Sequence, residues 1–178
     1  MNDILQILTS GNSKADAQNI SKAVINHQYP IEDLLSCFFF KDLRICQRAS
    51  WPLTFIAEQQ PAMLTSYLQK MIDHLDHPNH DAVIRNTVRS WQFMEIPEEF
   101  IGSIYEVCFN YLSDPNFAIS IRVFSMTTCV NIAERFPELG LELEVFILEQ
   151  IDHSTAGFRS RGMKALKRLK HILKNNHL

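Results

Sequence analysis

The sequence predicts an all-α fold, an α-solenoid in which antiparallel helix pairs stack side by side. Three observations predict it. Pro78-Asn79 with Ile84-Arg85 returns 37 residues later as Pro115-Asn116 with Ile121-Arg122. The helix before each turn repeats in phase: Leu64, Leu68, Met71, Ile72 and Leu75 map by the same offset onto Ile101, Tyr105, Cys108, Phe109 and Leu112. Arg48, Arg85, Arg122 and Arg159 are each 37 apart. A fixed period of this size marks one supersecondary unit used repeatedly. A lone helix pair cannot cover its own apolar face, so neighbours cover it for one another. Pro78 and Pro115 lack an N–H and their rings clash with the preceding turn, so each separates the first helix of a pair from the second.

Residues 2–9 form a short apolar-periodic helix, and Ser10-Gly11-Asn12 is a turn. Ser13 with Asp16 three residues on is a capping box that opens a helix to about residue 27. These two helices form a cap, residues 1–29. Tyr29-Pro30 breaks the chain, and Ile31, Leu34, Leu35 and Phe38 then hold helical spacing. The triplet Phe38-Phe39-Phe40 covers nearly a full helical turn, which places most of it in the core. A helix over about 41–59 contains Pro52, which either kinks it or starts a fresh helix at its first turn. Residues 62–76 form an amphipathic helix after Pro61, followed by a second helix over about 81–94 that ends at Ile96-Pro97. Residues 98–113 and 117–135 are the best-defined pair. In 138–151, Leu139, Leu141, Leu143 and Val145 alternate as in a strand, but the run continues through Phe146, Ile147, Leu148 and Ile151, and the repeat frame favours a buried helix. The last helix covers about 155–174. The expected organisation is one domain over 1–178, with the cap followed by helix pairs at 30–60, 61–96, 97–136 and 137–178.

Composition agrees with a globular chain: apolar residues are 46% and charged residues 21% of the 178, with only five glycines. The four cysteines, Cys37, Cys46, Cys108 and Cys129, make no Cys-x-x-Cys pair. Three of them sit in apolar helical runs, where a free cysteine behaves as a small hydrophobe. The reading is reduced structural thiols in a cytoplasmic protein. Met1-Asn2-Asp3-Ile4 shows no signal-peptide pattern, and no apolar run approaches the roughly 20 residues that a membrane span requires.

Charge is distributed unevenly. Residues 1–152 hold 20 acidic and 10 basic side chains, a net of −10, whereas residues 153–178 hold seven basic and no acidic ones. Arg159, Arg161, Lys164, Lys167, Arg168 and Lys170 form a basic patch that would attract phosphates or an acidic protein surface. Residues 161, 164 and 168 share one helical face, with Met163, Leu166, Leu169 and Ile172 packing inward. The plainer alternative is a solvated end cap whose cations favour a helix C-terminus. Nucleic acid is the weaker candidate partner, because the rest of the chain would repel phosphates. The segment Asp73-His74-Leu75-Asp76-His77-Pro78-Asn79-His80-Asp81 is rich in metal-ligand types. Its counterpart Ser113-Asp114-Pro115-Asn116-Phe117 fills the same place without histidine, so a polar turn is the reading and no metal or cofactor is expected.

The run Leu112-Ser113-Asp114-Pro115-Asn116, then Ile121-Arg122, Ala133 and Glu134, resembles a HEAT repeat, over residues 61–170. HEAT repeats carry an Asp at the turn and an Arg early in the second helix, bonded between neighbouring units. The resemblance implies that Asp76, Asp114 and Asp152 form such a ladder with Arg85, Arg122 and Arg159. It also implies that second helices line a concave face, where Arg48, Trp51, Arg85, Arg89 and Trp91 would anchor a protein partner; the plainer alternative for the tryptophans is the core. DNA alkylation repair glycosylases are also HEAT-like and grip damaged DNA with concave tryptophans, an Asp and an Arg in a basic groove, which this acidic chain does not offer. Arg48-Ala49-Ser50-Trp51, Ser125-Met126, Pro137-Glu138-Leu139 through Ile147-Leu148-Glu149-Gln150, and Phe158-Arg159 onward resemble short bacterial HEAT-like proteins that sometimes carry the label adenylosuccinate lyase. Lyases of that superfamily are far longer and have a Ser-Ser-x-Met-Pro-x-Lys-x-Asn loop, and Ser125-Met126 is not followed by it. No phosphate cradle, nucleophile elbow or paired-carboxylate motif is present. The functional expectation is a non-catalytic scaffold or adaptor for another protein with an acidic surface.

Overall fold

A computed structural model describes residues 3–76 and 80–176, so Pro78-Asn79 and His77 lie outside the described residues. The chain divides into two compact units, one ending at Pro97 and the other beginning at Glu98. The described residues form helices joined by turns, with no strand.

The first unit holds α1 (Asp3–Ser10), α2 (Lys14–Ile25), α3 (Ile31–Phe38), α4 (Leu43–Gln59), α5 (Ala62–Thr65), α6 (Leu68–Leu75) and α7 (Asp81–Trp91). Second helices pack on second helices: α2 lies on α4, and α4 on α7. The expected capping box opens α2: Ser13 Oγ accepts from Asp16 N, and Asp16 Oδ2 accepts from Ser13 N at 2.8 Å. That helix ends two residues earlier than the spacing predicts. His27 adopts a left-handed φ of 58°, and Gln28 N bonds Ala23 O while His27 N bonds Val24 O. This is a Schellman termination without its usual glycine, so no glycine marks it in the sequence. α4 runs unbroken through Pro52, which rules out a fresh helix there. Asp42 caps α4 by accepting from Arg44 N at 2.8 Å.

The amphipathic stretch 62–76 is interrupted at Ser66-Tyr67 rather than continuous. Its apolar phase survives the break, and Leu64, Leu68, Met71, Ile72 and Leu75 are all buried. The phenylalanine triplet is only partly core. α3 stops at Phe38, so the triplet does not follow helical geometry, and Phe40 is 50% exposed while Phe38 is fully buried.

The second unit holds α8 (Glu98–Ser113), α9 (Ile119–Ala133), α10 (Glu138–Ile151) and α11 (Ala156–Asn175). α8 pairs with α9, α10 with α11, and α9 lies on α11. The strand-like alternation in α10 resolves as a helix: Gly140, Leu143, Ile147 and Ile151 form its buried stripe. Gly140 and Gly162 let α10 and α11 approach closely. A Cβ at Gly162 would stand 3.2 Å from Ile151 Cδ1 and 3.3 Å from Ile147 Cγ2.

Three arginines of the expected ladder, Arg48, Arg122 and Arg159, hold backbone carbonyls and not the expected carboxylates. Arg122 is buried, and its Nε donates to Leu112 O at 2.9 Å, at the C-terminal end of α8. Its guanidinium also lies 4.8 Å from the Phe158 ring centroid. Arg159 donates to Ile151 O, Asp152 O and Ser154 O at the end of α10. Arg48 donates to Leu8 O at 2.6 Å and to Thr9 O at the end of α1. Among the described residues no ion pair joins Asp76 to Arg85, Asp114 to Arg122 or Asp152 to Arg159. The reason is geometric. The last carbonyls of a helix have no intrahelical partner, and a long cation reaches them from the following helix for Arg122 and Arg159 and from α4 across to α1 for Arg48. The Asp114 carboxylate instead accepts from Asn116 N and Nδ2, both at 2.8 Å, and closes the turn. It still favours the charged form of Arg122, whose pKa burial lowers.

Candidate functional site

The basic helix α11 begins at Thr155, whose Oγ1 accepts from Phe158 N. Its inward stripe is Phe158, Gly162, Ala165, Leu169, Ile172 and Leu173. Met163, expected inside, is 60% exposed, and Gly162 takes the inward place, where an added Cβ would press on Ile147 and Ile151. The face bearing Arg161, Lys164 and Arg168 looks across to α9. Arg161 Nη1 donates to Thr127 Oγ1 at 2.8 Å. Arg168 Nη2 donates to Asn131 Oδ1 at 2.8 Å and to Glu134 Oε1 at 2.7 Å. Lys164 stands between them and is exposed. A cleft of about 170 Å³ lies along this seam, lined by Thr127, Val130, Arg161, Lys164, Ala165 and Arg168. Two guanidiniums are thus oriented by partners on α9, with an exposed ammonium between them. Lys167 and Lys170 are also exposed. Arg159, by contrast, is committed to the α10 carbonyls.

The expected anchors in the first unit fare differently. Trp91 is 1% exposed and belongs to the core, so it cannot touch a partner. Its place follows from α7, whose residues 82–84, 86–88 and 90–91 are all buried. Trp51 and Arg85 are half-buried. Arg48 is turned to the α1 carbonyls, and Arg89 pairs with Glu58 at 2.6 Å. The structure therefore does not bring the five residues together as one exposed set.

The His-rich turn is also used structurally. His74 Nε2 meets Cys46 Sγ at 3.3 Å and packs on the rings of Phe38 and Phe39. Burial raises the Cys46 thiol to about 11, so it stays protonated. His80 Nδ1 accepts from Ala82 N and caps α7. Among the described residues no group of histidine, cysteine and carboxylate side chains converges to hold a metal.

A family model described as HEAT repeat domain matches residues 4–172. The chain belongs to the HEAT repeat family. No curated protein and no solved structure matches it. HEAT repeats commonly serve as protein-interaction scaffolds and are typically non-catalytic. In this HEAT chain, Ser125 and Met126 are fully buried inside α9. They therefore cannot act as the mobile substrate loop that a lyase of the adenylosuccinate type would place there. No described helix is long and apolar enough to cross a membrane. Sequence reasoning missed one feature, an exposed apolar stripe on α10: Leu141 (43%), Val145 (56%) and Leu148 (55%). The alternation in 138–151 held the signal, but helix periodicity was used there to choose the element and not its outer face.

Proposed function

We propose that this HEAT repeat chain is a non-catalytic adaptor that holds an acidic segment of a partner protein on the α9–α11 seam. The observation that carries the reading is the pair of oriented guanidiniums, Arg161 on Thr127 and Arg168 on Asn131 and Glu134, with the exposed Lys164 between them. Preorganised cations lose less side-chain entropy on meeting a carboxylate than freely moving ones. Seven basic and no acidic side chains beyond residue 152 add a field that speeds encounter with an acidic surface.

A nucleic-acid module is supported by the same basic helix. Two facts count against it: the net charge of −10 over residues 1–152 and the burial of Trp91. The test is fluorescence anisotropy with a labelled glutamate-rich peptide and, separately, a labelled DNA duplex. The expected result is peptide binding that falls at least about tenfold in the Arg161→Glu/Lys164→Glu/Arg168→Glu variant, roughly the sum of three reversed surface pairs. Equal binding by wild type and variant would leave the seam as an end cap. Tighter binding of duplex than of peptide would favour the nucleic-acid reading.

A further inference from the structure

α8 and α10 carry seven glutamates and no lysine, arginine or histidine: Glu98, Glu99 and Glu106 on one, and Glu138, Glu142, Glu144 and Glu149 on the other. Between these helices runs an open groove of about 450 Å³. Its floor is aromatic. Phe109 stacks on Tyr105 with centroids 5.9 Å apart and meets Phe146 at 5.5 Å. Leu141 and Val145 line it with their exposed side chains, and Glu142 and Glu149 stand beside them. Tyr105 Oη donates to Leu139 O at 2.9 Å, which ties α8 to α10 and sets the width of the groove before anything binds.

We infer that this groove is a docking site for a cationic amphipathic helix of a partner protein. Exposed apolar side chains at 141, 145 and 148 repeat at the i, i+4, i+7 spacing that an amphipathic helix presents in return. Glu142 and Glu149 are seven residues apart, so they share a face about 10.5 Å apart along the axis. Lysines or arginines seven apart on the incoming helix would meet both, with the apolar residue between them over the aromatic floor. The same floor attracts the cations themselves through the ring quadrupoles. A second copy of this chain is a poor occupant: its cationic α11 exposes one large apolar side chain, Met163, and buries most of the others. An anionic membrane surface would be repelled by the carboxylates.

The experiment uses the full chain and three fluorescein-labelled peptides of about 18 residues. One has leucines at helical spacing flanked by lysines seven apart. Its twin has glutamate in place of lysine, and the third is a scrambled isomer of the first. The lysine peptide is expected to bind wild type at least about tenfold tighter than either control. Val145→Asp should lose that binding, and Glu142→Lys/Glu149→Lys should shift preference to the glutamate twin. All these side chains are exposed, so far-UV circular dichroism should be unchanged. Binding should persist in Arg161→Glu/Lys164→Glu/Arg168→Glu, which separates this site from the α9–α11 seam. Three results would each overturn the inference: equal affinity for the scrambled peptide, undiminished binding by the double charge reversal, or a wild-type dimer in sedimentation that Val145→Asp converts to monomer.

Discussion

Arg122→Ala should be among the most damaging single changes in the second unit, and Asp114→Ala should not match it. The charge-assisted bond from Arg122 Nε to Leu112 O is worth about 1.5–3 kcal/mol, and its loss leaves that carbonyl buried without a partner. The guanidinium over Phe158 adds roughly 0.5–2 kcal/mol. Neither share is reduced much by solvent, since the side chain is 7% exposed. A loss of about 3 kcal/mol follows, equivalent to a midpoint lower by roughly 6–12 °C for a chain of this size. Asp114→Ala removes the acceptor that closes the turn at Asn116 and a distant charge, at a cost of about 1 kcal/mol. Arg122→Lys keeps the charge without the planar fork and should fall between wild type and Arg122→Ala. Urea unfolding followed by circular dichroism measures all three, with the exposed Lys170→Ala as a control expected within about 0.5 kcal/mol of wild type. If Asp114→Ala were as costly as Arg122→Ala, an ion-pair ladder would hold the hairpins after all. If Arg122→Ala matched the lysine control, carbonyl capping would not be a source of stability.

Glycines in this chain divide by their surroundings. Gly102 in α8 has nothing within 4 Å of an added Cβ, so Gly102→Ala should raise stability by about 0.5–1 kcal/mol in thermal unfolding. Gly162→Ala meets Ile147 and Ile151 and should lack that gain. The capping carboxylate of Asp16 has its pKa lowered, chiefly by the backbone N–H of Ser13 and then by its hydroxyl. A folded value below the unfolded one, about 3.9, means that its stabilisation is present above that pH and fades as pH falls through the folded value. The gap in melting temperature between wild type and Asp16→Ala should therefore narrow as the pH is taken below the unfolded value of about 3.9. All four cysteines are free and buried, and burial raises Cys37, Cys46 and Cys129 above the ordinary thiol range. Iodoacetamide at pH 8 should label the native chain slowly and the urea-unfolded chain at all four thiols, read by mass spectrometry.

The helices were legible because the apolar period of each segment is a local quantity. Leu64 through Leu75 and Ile101 through Leu112 keep the same phase, and neither the break at Ser66-Tyr67 nor the strand-like alternation in 138–151 disturbs it. The capping box at Ser13 and Asp16 was readable for the same reason, since both partners lie within one turn. The end of α2 was not, because His27 takes the left-handed place that glycine usually marks.

Helix pairs, their turns and the common register of four arginines follow from local periods in the sequence. What Arg48, Arg122 and Arg159 hold depends on packing, because a helical period assigns a side chain to a face of its own helix and not to the neighbour beyond that face. The same gap left Trp91 open between an anchor and a core residue, and packing seals it in the core. Met163 stands outside while its neighbour Gly162 faces Ile147 and Ile151 of α10. Phe109 on α8 and Phe146 on α10 are 37 residues apart in sequence, and with the carboxylates of Glu142 and Glu149 they become one surface only when those helices are packed.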